Sequence, residues 1–234
     1  MNKTVEKIRQ ELFSFQDKTY ADFQARLTPE KPKSAFIGVR TPELKALAKR
    51  LSKTLTQEQK NEFFTSLPHE YFEENNLHGF MLGEIKDFEP CVLRLCEFLP
   101  YIDNWATCDQ TSPAALKKRT DKLLEYIRTW LNSNRVYTVR FSIGMLMRYY
   151  LGENFKPEYA KIVAEVKSDG YYVNMMQAWY FATALCKNQE QILPYFLNGE
   201  LSGLVLKKAI RKALESFRIP NEVKLILRKR AKEL

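Results

Sequence analysis

IDNWATCDQTSPAAL, residues 102–116, decides the fold once it is laid over four other stretches of the chain. HEYFEENNLHGFML (69–82), NRVYTVRFSIGMLM (134–147), DGYYVNMMQAWYFA (169–182) and SGLVLKKAIRKAL (202–214) align with it so that an aromatic or apolar anchor recurs at Phe72, Trp105, Tyr137, Tyr172 and Val205. The steps between anchors are 33, 32, 35 and 33 residues. A period in this range with two helices per unit is the mark of an α-solenoid, whose stacked pairs curve and create an extended concave surface. In this reading the five segments are inner helices and the anchored face lines the concavity. The alternative is an irregular helical bundle.

The rest of the chain agrees with an all-α class. Only eight of the 234 residues are glycine, and long segments space their apolar residues at helical rather than strand-like intervals. One domain is expected over 1–234, with a basic helical segment at 207–234. Helix starts are visible. In RTPELKALAKRL (40–51), Thr41 is placed as N-cap, Pro42 in the first helical position and Glu43 in the first turn, where a negative charge favours the helix dipole. Asp103 is expected to cap the helix that carries Trp105 in its first turn and Asp109 in its second, so indole and carboxylate share a face. Pro113 is expected inside that helix, where it has no N–H for the Asp109 carbonyl and pushes it away, loosening the helix at the carboxylate.

Composition excludes several classes. No stretch approaches the roughly 18 uninterrupted apolar residues of a membrane helix. The start, MNKTVEKIRQELFSF, carries charges where a signal peptide is apolar, so a cytoplasmic protein without membrane contact is expected. Cys91, Cys96, Cys108 and Cys186 form no CxxC pair, and His69 and His78 are the only histidines. Reduced thiols, with neither metal nor cofactor, are the expectation.

The net charge of +9 is uneven: from Lys207 onward ten Lys or Arg face three acids, placing +7 in the last segment. Such an end suits a polyanion, or it is a solvated helix face. Arg140, Gly144 and Arg148 follow at i, i+4 and i+8, a guanidinium row beside a position with no side chain that lets a partner approach the backbone. Trp179 occupies the place equivalent to Gly144. Cations interleaved with aromatics on a concave face are what binding a phosphate backbone requires. Taken singly, tryptophan is more often core, and a helical aspartate is more often a cap or solvated.

The W-x-x-x-D of Trp105 and Asp109 with Pro113 behind it, YTVRFSIGML with Arg140, YYVNMMQAWYFA with Trp179, and FIGVRTPELKALAK near the amino terminus together resemble the AlkD-like bacterial DNA alkylation repair family. The likeness runs from about residue 10 to about residue 218. It implies DNA glycosylases of HEAT-like repeats: a curved α-solenoid that holds duplex DNA containing alkylated bases and hydrolyses the N-glycosidic bond of cationic N3- or N7-alkylpurines. By position, Asp109 matches the catalytic aspartate, Trp105 and Trp179 the lesion-side tryptophans, and Arg140 an arginine on the DNA backbone. Three residues beyond the second tryptophan, where the pattern has arginine, this chain has Ala182. A non-catalytic DNA-binding repeat protein on the same scaffold is the alternative; a monomer is expected in either case.

The chemistry suits these residue types. An alkylated purine is a cation and already a good leaving group, so no general acid is needed. A fixed carboxylate stabilises the positive charge that grows on the sugar, on the order of 3 kcal/mol or roughly a hundredfold in rate. Tryptophan faces attract the cationic base by about 0.5 to 2 kcal/mol and do much less for a neutral purine. Lys207, Lys208, Arg211 and Lys212, with Arg148, are expected to contact phosphates without regard to sequence. The helix start at Thr41, beside Arg40, reads either as a phosphate seat or as an ordinary capped helix.

Overall fold

The computed structural model describes residues 3–234. Fourteen α-helices and no strand occur among them: α1 (Lys3–Ser14), α2 (Lys18–Leu27), α3 (Thr41–Thr54), α4 (Gln57–Thr65), α5 (Phe72–Glu84), α6 (Phe88–Phe98), α7 (Trp105–Gln110), α8 (Thr120–Leu131), α9 (Val136–Tyr149), α10 (Pro157–Glu165), α11 (Tyr171–Lys187), α12 (Gln189–Leu197), α13 (Gly203–Glu215) and α14 (Asn221–Lys232). None is long and apolar enough to cross a membrane. The helices gather into two compact units, the first ending at Leu123 and the second being Leu124–Leu234.

Each unit is layered the same way. In the first, α3 packs on α5 and α5 on α7; in the second, α9 packs on α11 and α11 on α13. The intervening helices lie beside them, α6 against α5, α10 and α12 against α11, and α14 against α13. The sequence dictates the seams. On α3, Leu44, Leu47, Ala48 and Leu51 recur at i, i+3, i+4 and i+7 and are buried, matching the apolar stripe a core-facing helix needs. The five anchors fall in the first turns of α5, α7, α9, α11 and α13, so the repeat in the sequence is a repeat of helix starts. Phe36 packs at a tilt on Phe72 at 4.9 Å between ring centroids, and Tyr137 likewise on Tyr172 at 5.6 Å.

Three local expectations are corrected. Thr41 lies inside α3, and the N-cap place falls to Arg40, which makes no side-chain cap; Pro42 and Glu43 stand in the first turn as expected. The cap of α7 is Asn104 rather than Asp103. The Asn104 amide oxygen accepts from the Thr107 N–H at 2.8 Å while its nitrogen donates to the Thr107 hydroxyl at 3.0 Å, a two-way bond that a carboxylate, which has no donor, cannot make. Asp103 is spared that task and pairs with Lys31. Pro113 does not kink a helix, because α7 has already stopped at Gln110 with Thr111 as C-cap. The residue before a proline is pushed out of the helical region, so the chain turns into a short 3-10 segment, Ala114–Arg119, instead.

Candidate functional site

Helix α7 is six residues long, too short to hold itself together, and its place is fixed by buried polar bonds. The Thr107 hydroxyl donates to the Asn76 side-chain oxygen on α5 at 2.7 Å, and the Thr111 hydroxyl donates to the Thr107 carbonyl at 2.8 Å. Asn76, Asn104, Thr107 and Thr111 are all buried, so each bond is made where water cannot replace it. The two helices touch closely at Gly79, where a Cβ would stand 2.3 Å from the Thr111 hydroxyl oxygen. A side chain there must either turn the Thr111 hydroxyl away from its bond or push α7 back.

With Ala106, Thr107 and Cys108 buried, the residues this helix presents outward are Trp105, Asp109 and Gln110. Trp105 donates its indole N–H to the Leu27 carbonyl at 3.0 Å and packs against the buried cluster of Ala25, Ala35, Phe36, Phe72 and Ala106. One side of the ring is thereby fixed, and the half-exposed remainder sits one turn from the half-exposed Asp109. On α2, which supplies that carbonyl, Phe23 and Leu27 are exposed apolar side chains.

Behind Trp105 lies a feature that sequence reading missed. Glu73, with no exposed surface, accepts from the backbone N–H groups of Ile37 at 2.9 Å and Gly38 at 2.7 Å. Burial pushes its carboxyl above the ordinary range, opposed by those N–H bonds. The bonds pin the loop that brings Phe36 onto Phe72 and Trp105. Gly38 is obligatory in it: its φ is +95° and a Cβ would meet the Asp17 carbonyl oxygen at 2.0 Å. The available signal was the run Glu73, Glu74, Asn75, Asn76, polar in four successive positions of one helix and buried in all of them. Glu74 is claimed by Arg9 at 2.9 Å and by the N–H groups of Glu70 and Tyr71.

The second unit carries Arg140 and Trp179, and here the expected exposed row is corrected. Arg140 is only 3% exposed, donates to the Tyr172 carbonyl at 2.8 Å, and lies with its guanidinium carbon 5.6 Å from the centre of the Trp179 ring. Enclosed in this way, the guanidinium orients Trp179 and the start of α11 rather than reaching solvent. Gly144 is buried too: a Cβ there meets the Met176 methyl at 3.7 Å, so the position is helix packing against α11 and no open notch. Arg148 is exposed, and Trp179 keeps 37% of its surface. With a cation already on Trp179, its attraction for a second one is weakened, whereas no such cation lies on Trp105 among the described residues.

Of the basic cluster on α13, Arg211 and Lys212 share Glu215 at 3.2 and 2.9 Å and hold its carboxyl below the ordinary range, the Lys212 bond most of all. Lys207 is exposed and has no carboxylate partner among the described residues, and Lys208 lies 4.6 Å from the centre of the Tyr171 ring. Arg40, beside the start of α3, is bonded to Asp17 at 2.8 Å and stacked 4.7 Å from the Tyr20 ring centre. Ala182 is buried. The four cysteines are free thiols, and burial pushes that of Cys91 up to about 12. No three potential metal ligands come together among the described residues.

The first unit thus presents an indole and a carboxylate on the outward face of α7, and the second holds a tryptophan braced by a buried arginine and cations along α13. The family model for DNA alkylation repair enzyme matches residues 8–212, and the chain belongs to that family. No curated protein matches it.

Proposed function

We propose that the protein is a monofunctional DNA glycosylase that releases cationic N3- or N7-alkylpurines from duplex DNA, on a curved solenoid of HEAT-like repeats. The observation that carries this reading is Trp105 and Asp109 together on the outward face of a helix locked by buried polar bonds, in a member of a DNA alkylation repair family.

Asp109 is the catalytic residue in this account. As the glycosidic bond lengthens, the sugar becomes oxocarbenium-like, and a carboxylate held in place stabilises it without reorganising, for on the order of 3 kcal/mol. The same carboxylate orients the attacking water. Trp105 attracts the charged base, and Trp179, braced by Arg140, adds apolar contact more than cation selectivity. Arg148, Lys207 and Lys208 meet phosphates; Arg211 and Lys212 do so only by loosening their bonds to Glu215.

Ala182, apolar and buried where the resembling pattern has arginine, favours a second reading in which the scaffold binds DNA without chemistry. Incubation of the protein with duplexes carrying 7-methylguanine or 3-methyladenine, with the released base measured, separates the two. Free base appearing in proportion to active protein supports the glycosylase; tight binding without release supports the non-catalytic reading.

A further inference from the structure

A cavity of about 590 Å³ lies wholly within the second unit, where the segments leading into α9 and α11 meet α8 and α10. Its composition is divided. The floor is aliphatic, with Val139, Ile162 and Val173, while Arg128, Arg135 and Lys167 stand around it with Glu165 as the one acid. Arg135 and Lys167 have no carboxylate partner among the described residues, and the one for Arg128, Glu158, is 4.0 Å away. Glu165 is drawn toward Lys161 at 3.9 Å. The N–H groups of Arg135 and Gly170, just before α9 and α11, donate to the Ser133 and Ser168 hydroxyls at 3.1 and 3.0 Å, while the first turns of the two helices receive no side-chain cap from these residues and add positive potential to the same place.

An aliphatic floor under excess positive charge does not suit a bare inorganic anion, which would leave the floor wet, nor an apolar ligand, which would leave three cations desolvated. It suits a phosphate ester. We propose that this cavity seats a phosphodiester of the DNA strand, with Arg128, Arg135 and Lys167 on the phosphate oxygens and the deoxyribose on the valine and isoleucine floor. The proposal rests on the DNA-binding reading above and gives it an anchoring point outside the basic cluster of α13.

The test is a titration of unmodified duplex DNA at several salt concentrations, using the wild-type protein, the variant Arg128→Gln/Arg135→Gln/Lys167→Gln, and a charge-matched control, Lys156→Gln/Lys187→Gln/Arg218→Gln. All six side chains are exposed, so both variants are expected to keep the wild-type melting temperature. Removing one protein–phosphate pairing lowers the slope of log affinity against log salt by about 0.9. The cavity variant is expected to show a reduction of at least one such step, and the control clearly less. Equal reductions in the two variants, or an unchanged slope in the first, overturn the proposal. A free nucleotide has the same chemistry, so dAMP is titrated in parallel. Tight dAMP binding abolished by the cavity variant, with duplex affinity intact, would also overturn it by making the cavity a nucleotide site. Excision of 7-methylguanine is measured on the same preparations: absence of excision with a reduced slope removes the glycosylase reading and leaves the phosphate seat standing.

Discussion

Replacing Gly79 by alanine tests whether the placement of α7 governs the site. The added Cβ would stand 2.3 Å from the Thr111 hydroxyl oxygen, far inside any contact distance, and that hydroxyl is bonded to the Thr107 carbonyl at 2.8 Å. Either the hydroxyl rotates away, giving up a buried hydrogen bond for about 1 kcal/mol, or α7 withdraws from α5 at an overpacking cost of about 1–3 kcal/mol. Alanine returns about 1 kcal/mol of helix propensity, so the net loss is up to about 2 kcal/mol. For a chain of this length each kcal/mol is about 2–4 °C in Tm. Thermal melting should therefore show a drop of up to several degrees. Excision of 7-methylguanine should fall by at least about tenfold per folded molecule, because displacement of a positioned group by about 1 Å is costly to catalysis. Gly83→Ala on the same helix has open space around the new methyl group and should be neutral or stabilising. Adding Thr111→Ala to Gly79→Ala should recover part of the melting temperature, a coupling that double-mutant analysis detects. A Gly79→Ala protein as stable and as active as wild type would refute the reasoning.

Two further predictions concern charge and selectivity. His69 and His78 are buried with ring nitrogens 2.9 Å apart, and burial holds His69 at about 4 against an ordinary 6.5, with His78 also well below its ordinary value. Between those pH values the unfolded chain takes up a proton that the folded one refuses, so stability is full above about 6.5 and is lost as pH falls toward 4. His69 alone accounts for on the order of 3 kcal/mol of this loss, and denaturant melts at pH 7 and pH 4.5 should show a decline that is much reduced in the His69→Phe/His78→Phe protein. Trp105→Ala should narrow the preference for cationic over neutral purines by roughly twofold to thirtyfold, the 0.5 to 2 kcal/mol of a tryptophan face, read as the ratio of excision rates for 7-methylguanine and hypoxanthine; an unchanged ratio would assign Trp105 to packing alone.

What the sequence made legible was what is local or periodic. The anchors at Phe72, Trp105, Tyr137, Tyr172 and Val205 mark successive helix starts because a repeat period survives in one dimension. Trp105 and Asp109 share an outward face because four residues is about one helical turn. What stayed hidden depends on partners far along the chain. Glu73 answers N–H groups 35 and 36 residues earlier, and the polar run Glu73–Asn76 within α5 does not say which of its members is buried or against what. Arg140 read as exposed because its spacing to Arg148 is helical, yet its fate is set by a carbonyl 32 residues later. The choice between Asp103 and Asn104 as cap turned on which side chain could also donate to Thr107, a bond visible only once α7 is packed on α5. Pro113 was legible as a breaker of helix, but α7 ends at Gln110 before reaching it, and its consequence is the 3-10 segment that follows.

The central claim is that the negative charge of Asp109 performs the chemistry, and Asp109→Asn tests it most directly, since the variant keeps volume and hydrogen bonding while removing the charge. Single-turnover release of 7-methylguanine from duplex DNA should fall by at least roughly a hundredfold, the equivalent of about 3 kcal/mol of transition-state stabilisation, with DNA affinity and melting temperature close to wild type. A folded Asp109→Asn protein that releases the base at the wild-type rate would contradict the account.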